Sequence, residues 1–289
     1  MRISVPGAEL YALTEQATGR RDSPDGAVRN ERAVCLVLCN LGTLPYQRQL
    51  PAALAEQLQL VFVDLRGSGQ STGAASELDF DVLARDLDAV RGQLGAARVA
   101  LFGHSILGAL AIEAARRLPE RVSHVIAVGT PPHGDMARLT ASGSAFFEQD
   151  ASAERKRALA RNLALLPEDP RARTPGQMML AQTPQRFFDP DFDAASLYAG
   201  AELNLAFFAH LMGKLTPGWD VLAGGPLAVP LFLALGRYDY AVPYTSWSGI
   251  LEQVPRAALQ VFERSGHQAF VEEPELFSQA VLAWMQRTR

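Results

Sequence analysis

Six runs of nearly uninterrupted apolar residues punctuate the chain: AVCLVLC (33–39), LVFVD (60–64), RVALFG (98–103), HVIAVG (124–129), VPLFLALG (229–236) and ALQVF (258–262). Runs of this length without polar alternation predict strands buried on both faces. The segments between them follow another period. Phe80, Leu83, Leu87, Val90 and Leu94 step by three and four and predict an amphipathic helix. Helices are also predicted around Leu50 to Leu58, from Ile106 to Leu118 ahead of Pro119, near 244–253, and from Pro274 to Gln286. Residues 2–5 and 9–14 alternate around Pro6-Gly7 and predict a hairpin, while the polar, turn-rich stretch 18–32 predicts an exposed loop. Strands and helices in alternation place the chain in the α/β class, with a mostly parallel central sheet flanked by helices.

The alternation stops near His133. Residues 133–218 carry mostly helical patterns broken by prolines, among them Pro167, Pro170, Pro184, Pro190 and Pro217. From Pro226 the sheet texture returns. The expected organisation is therefore a core of residues 1–132 and 219–289 with an inserted helical cap at 133–218. No internal repeat or low-complexity tract interrupts it.

Composition narrows the partners. With 289 residues, 48% of them hydrophobic, there is ample material for a large core. The net charge of −4 and the scattered Lys and Arg speak against a nucleic-acid partner. Cys35 and Cys39 lie four apart in one apolar run, on one face but too far apart to bond, and are expected as reduced core thiols. The five histidines lack metal-ligand spacing, so neither metal nor organic cofactor is expected. MRISVPGAEL lacks the basic and apolar regions of a secretory signal, and no apolar run approaches membrane-spanning length. A cytoplasmic protein acting on a small molecule, monomer or homodimer, is the expectation.

The chemistry begins at ALFGHSILG (100–108), where Ser105 stands between a buried strand and a helix. In open α/β sheets that edge binds ligands. A tight strand-to-helix turn exposes the side chain, Gly103 gives it one small flank, and the helix start offers free N–H groups to a developing oxyanion. A serine needs a base, and the base needs an acid to hold its tautomer. Asp239 follows one buried strand in LALGRYDYAVP and His267 follows the next in ERSGHQAFVEE, which brings both to the edge that carries Ser105.

GHS around Ser105, VFVDLRGSGQST (61–72), GRYD around Asp239 and SGH around His267 together resemble the α/β-hydrolase fold over nearly the whole chain. DLRGSGQS and the cap resemble the branch that holds proline iminopeptidases and related esterases. The resemblance implies Ser105 as nucleophile, His267 as general base and Asp239 as the acid that orients it. Two positions depart from the pattern. Leu107 stands where G-x-S-x-G has its last glycine, so either the helix tilts or the pocket wall moves, with Gly108 relieving the crowding, or the elbow is non-catalytic. The loop Cys39-Asn40-Leu41-Gly42-Thr43 replaces the His-Gly-Gly-Pro-Gly of proline iminopeptidases and resembles the NLGT-type loop of enol-lactone hydrolases. Its oxyanion donors are expected to be the N–H groups of Leu41, with Gly42 as the fallback, and of Ile106.

Glu202 follows from the same resemblance, since cap glutamates of proline iminopeptidases bind a substrate amino group. It is expected on a helix in GAELNLAFFAHL, either facing the serine or solvated on the surface. Gly42 and Trp247 are further candidates for substrate contact, and Tyr240 for the mouth of the site. Phe146, Phe147, Phe187, Phe188, Phe207 and Phe208 read as cap core, with one or two free to wall an acyl pocket. Asp64 and Arg66 are expected to brace the DLRGSGQS loop through turn hydrogen bonds and an ion pair. His104 is expected in a structural or pocket-lining role, His124 and His210 as ordinary satisfied histidines, and His133 as a hinge or rim residue. The leading expectation is a serine hydrolase for a small ester, lactone or amide. The alternatives are a proline iminopeptidase-like aminopeptidase and a non-catalytic small-molecule-binding protein of the same fold. Serine at position 105 disfavours epoxide hydrolase and dehalogenase chemistry, which resembles this fold with aspartate there.

Overall fold

The computed structural model describes residues 1–14 and 32–288; the loop expected at 18–32 lies, except for Arg32, outside them. Eight strands form one sheet in the order β1-β2-β4-β3-β5-β6-β7-β8. β1 (Arg2–Val5) and β2 (Ala8–Thr14) make the hairpin at one edge and pair antiparallel. β2 meets β4 antiparallel, and every later pair is parallel. Those strands are β3 (Ala33–Cys39), β4 (Leu58–Asp64), β5 (Val99–His104), β6 (Val122–Val128), β7 (Leu231–Gly236) and β8 (Ala257–Phe262). The inner runs become strands buried on both faces, with Leu36, Val37, Leu38, Val61, Phe62 and Leu101 all fully buried, whereas β8, at the edge of the sheet, is half-buried except at Phe262.

The helix expected around Leu50 to Leu58 is α2 (Ala52–Gln57), and a further helix not expected from the sequence, α1 (Thr43–Gln49), precedes it before Pro51. α3 (Phe80–Gln93) starts on Asp79, whose carboxylate accepts the N–H of Val82. α4 (Ile106–Arg117) lies against β5, β6 and α3 and buries residues on all sides.

Between β6 and β7 the chain leaves the sheet. It forms α5 (Met136–Asp150), α6 (Ala153–Ala164), α7 (Pro175–Ala181), α8 (Thr183–Arg186), α9 (Ala194–Leu197) and α10 (Leu205–His210), which runs into a π turn at Leu211–Leu215. After β7, residues 244–253 form two 3₁₀ turns, Tyr244–Trp247 and Leu251–Gln253, instead of the expected helix. Gly249 between them sits at φ 73°, where no α-helix can continue. α11 (Ala269–Glu272) and α12 (Pro274–Arg287) close the chain.

This topology fixes where a site can form. β4 lies on one side of β3 and β5 on the other, so the chain switches direction at β3. Ligands of open α/β sheets bind beyond the carboxyl ends of strands at such a switch. The loops after β3, β5, β7 and β8 all leave that edge, and they carry Leu41, Ser105, Asp239 and His267. No helix among the described residues is long and apolar enough to cross a membrane.

Candidate active site

Ser105 precedes α4 with φ 57° and ψ −132°, and among the described residues it alone, glycines aside, has a positive φ. A conformation of that kind costs about 1–3 kcal/mol and persists only where its surroundings over-determine it. Here they do. The Ser105 N–H donates to Val128 O at 2.7 Å, and its carbonyl accepts from Gly108 N and Thr130 Oγ1, both at 3.0 Å.

The turn leaves no room for side chains at two points. A Cβ on Gly103 would stand 2.4 Å from Leu107 O, and one on Gly108 would stand 1.9 Å from Thr130 Oγ1. Leu107 is itself packed in the core at 1% exposure. The close approach that usually falls two residues past the serine has moved to the third, which is why leucine fits at 107.

Asp239 is fully buried three residues past β7. One carboxylate oxygen accepts the N–H groups of Ala241 and Val242 at 2.9 and 2.8 Å; the other lies 2.7 Å from His267 Nδ1. With Nδ1–H donating to that carboxylate, Nε2 is left as the acceptor. The His267 backbone is held on both sides: its N–H donates to Arg186 O at 2.6 Å, and its carbonyl accepts from His104 Nε2 at 3.0 Å. Burial and the neighbouring His267 hold the His104 pKa well below the usual imidazole range, so this histidine works as a neutral donor. A Cβ on Gly129, one residue past β6, would lie 2.9 Å from His267 Nδ1. The imidazole therefore rests on the end of β6, the strand that also holds the Ser105 N–H.

The loop after β3 supplies the opposite wall. Asn40 Oδ1 accepts from Tyr46 OH at 2.7 Å, and Gly42 at φ 83° precedes α1. Ile106 is the first residue of α4, so its N–H is one that a helix leaves without an internal acceptor. Leu41 is half-buried, and its carbonyl accepts the N–H of Glu202 at 2.9 Å.

Several expectations need correction. Glu202 is exposed and lies in the extended approach to α10, not on a helix. The helix starts later because Asn204 caps it: Asn204 Oδ1 accepts from Ala206 N and Phe207 N, while its Nδ2 donates to Gly67 O at 2.9 Å. Trp247 is packed in the core, and its indole N–H donates to Thr130 O at 2.8 Å, so its polar atom is not offered to a substrate. Tyr240 is likewise committed, its hydroxyl donating to Asp150 at 2.8 Å. The ion pair of Arg66 runs to Asp86 on α3, at 2.7 Å, while Asp64 accepts the turn N–H of Gln70. Burial pushes the Asp64 carboxyl up to about 6. Phe187 stacks on Phe192 at 4.4 Å within the inserted segment, and Phe147 of α5 meets the ring of Tyr240, in the loop after β7, edge-on.

Other residues around this edge carry no short motif. Glu272 accepts Gly266 N at 2.7 Å and Phe188 N at 2.6 Å, tying the His267 loop to the chain after α8. Gln268 Nε2 donates to the hydroxyl of Tyr198. Among the described residues, no three His, Cys, Asp or Glu side chains group as metal ligands would.

A serine in strained geometry and a buried His–Asp pair, carried by loops that leave the same edge of the sheet, agree with what comparison with known proteins finds. The model of the alpha/beta hydrolase fold family matches residues 32–274. The AB hydrolase superfamily protein YclE of Bacillus subtilis is 30% identical over 272 residues, 91% of this chain and 96% of its own. A pimeloyl-[acyl-carrier protein] methyl ester esterase of Aeromonas hydrophila is 27% identical over 236 residues, 79% of this chain and 85% of its own. Among solved structures, the proline iminopeptidase of Mycobacterium smegmatis superposes with a TM-score of 0.72 at 20% identity, covering 100% of this chain and 98% of that one. The chain belongs to the alpha/beta hydrolase fold family and is a hydrolase of that fold.

Proposed function

We propose that the protein is a serine hydrolase that cleaves a small carboxylic ester, lactone or amide through Ser105, His267 and Asp239. Ser105 Oγ attacks the substrate carbonyl while His267 Nε2 takes its proton, and Asp239 holds the imidazole and stabilises its charged form. The N–H groups of Leu41 and Ile106 receive the oxyanion. His267 returns the proton to the departing alcohol or amine. Water, activated by the same histidine, then hydrolyses the acyl-serine to the acid and regenerates Ser105. Residues 133–218 act as the cap that limits substrate size.

The observation that carries this reading is the backbone of Ser105. A protein that only bound a ligand would have no use for a strained serine and a buried His–Asp pair on loops of one sheet edge. The ester preference is supported by the relative named a methyl ester esterase. One observation favours the aminopeptidase as second reading: Glu202 stems from beside Gly42, where a Cβ would lie 3.9 Å from Glu202 Cβ.

The test compares a short-chain nitrophenyl ester with proline nitroanilide, using the wild-type protein and Ser105→Ala. Ester turnover that falls at least about 10³-fold in the variant, without anilide turnover, is expected. Strong proline release would replace the esterase with the aminopeptidase. Ester turnover that survives Ser105→Ala would overturn both.

A further inference from the structure

Arg186 is pinned beside His267 and has no counter-charge among the described residues. It ends α8, and its carbonyl accepts the His267 N–H at 2.6 Å. The contact is tight, since a Cβ on Gly266 would fall 2.2 Å from that carbonyl oxygen. The side chain is half-buried. One Nη donates to Gln182 Oε1 at 3.2 Å, a neutral acceptor, and Nε is buried with no hydrogen-bond partner among the described residues.

Four other buried or half-buried arginines have their charge or their Nη groups engaged, although Arg116 Nε, like that of Arg186, has no partner among the described residues. Arg66 pairs with Asp86, Arg116 with Glu113 and Arg237 with Asp150, and Arg155 donates to the carbonyls of Pro184, Phe187 and Phe188. The nearby carboxylate of Glu272 is already engaged by Gly266 N and Phe188 N. Burial raises the Tyr198 pKa and lowers that of His104, and the positive charge of Arg186 opposes the first and adds to the second. His104 is the residue that precedes Ser105, and the Tyr198 phenol is hydrogen-bonded to Gln268, the residue that follows His267. Gln268 is itself buried, with its Oε1 lacking a partner among the described residues.

A half-buried guanidinium with no ion pair is completed by an oxyacid. A carboxylate accepts from two N–H groups of a guanidinium side by side, and with Nε closed off by burial the two Nη groups are the pair it would use, a geometry that a single amide acceptor such as Gln182 cannot supply. We propose that Arg186 is an anion-recognition residue of the site and that the substrate is an ester bearing a second, free carboxylate. This rests on the serine-hydrolase reading for its chemistry, but the binding it predicts does not require turnover.

Two measurements decide it. The first takes the ratio of kcat/KM for the 4-nitrophenyl hemiester of glutaric acid over 4-nitrophenyl pentanoate, in wild type, Arg186→Gln and Arg186→Lys. The wild type is expected to favour the hemiester, through KM, by at least about tenfold. Arg186→Gln is expected to remove that preference. Arg186→Lys, which keeps the charge but loses the fork, is expected to keep part of it. Because the readout is a ratio, general damage to the site cancels, and the lysine variant decides alone if the glutamine variant does not fold. A preference that survives both substitutions, or is absent from the wild type, overturns the proposal.

The second measurement titrates glutarate by calorimetry into Ser105→Ala protein with and without Arg186→Gln. Binding lost with the arginine supports the proposal; absent or equal binding overturns it. If neither ester is turned over, the hydrolase reading fails, and the glutarate titration still decides Arg186.

Discussion

Helices α4 and α6 are each 12 residues long, yet α4 buries ten of them and α6 two, one of these an arginine. The difference separates two ways of holding a structure. At the sheet, shape decides: α4 sits between β5, β6 and α3 with Ala109, Ala111, Ala114 and Ala115 in contact, and one added methyl at Gly108 would collide with Thr130. In the helices between β6 and β7, polar groups decide. Asp135, Ser152, Thr174 and Asn204 each cap a helix, a contact typically worth about 1 kcal/mol. The guanidinium of Arg155 holds the carbonyls of Pro184 in α8 and of Phe187 just after it, and lies over the rings of Tyr238 and Tyr240. The two regions meet where the chain after α8 crosses the loops of Asp239 and His267.

The sharpest break falls on the sheet side. Asp239→Asn is expected to lower kcat for ester hydrolysis by about 10⁴-fold, because an amide facing His267 Nδ1 favours the wrong tautomer. Its effect on stability should be far smaller, so kinetics together with a urea titration separate the two.

The seam gives the next effect. Burial, the leading cause, pushes the Glu272 carboxyl from 4.5 up to about 7, with Asp239 raising it further and Arg155 opposing. The folded protein keeps this proton between about pH 4.5 and 7 while the unfolded chain gives it up. The group thus stabilises the fold below its unfolded pKa, and that contribution is lost as pH rises through about 7. Glu272→Gln is expected to remove a falling stability slope on the order of 3 kcal/mol over that range, read as the difference from wild type in urea midpoints at successive pH values.

The smallest effects have opposite signs. Gly108→Ala is expected to destabilise by about 1–3 kcal/mol through overpacking. Gly176, in α7, has open space within 4 Å of the point where a methyl would stand, so Gly176→Ala is expected to stabilise by about 0.4–1 kcal/mol. Thermal unfolding of the two variants checks whether the two regions obey different rules.

The same division explains what could be read beforehand. The inner strands declared themselves as apolar runs because burial on both faces tolerates nothing else, and the placement of Ser105, Asp239 and His267 at one sheet edge was legible because each follows a strand-like run. Glu202 was misplaced although its signal was present: Asn204 is a good N-cap, and a helix that starts there excludes residue 202. The turns at 244–253 were missed because the apolar spacing outweighed Gly249. Contacts between distant segments left no local trace. Arg66 finds Asp86 twenty positions on, and Glu272 finds Phe188 across 84 residues. The shift of the close approach from 107 to 108 depends on Thr130, a residue no elbow motif includes.

β3 runs between β4 and β5 with both thiols inside it. Burial pushes the Cys35 thiol up to about 12 and raises that of Cys39 as well. A thiol reagent reacts with the thiolate, and neither thiolate forms or meets solvent while the sheet is closed. The protein thereby carries an internal clock. The pace at which a reagent in solution consumes its two sulfurs measures how often the middle of the sheet comes apart, while openings confined to the outer helices pass unrecorded.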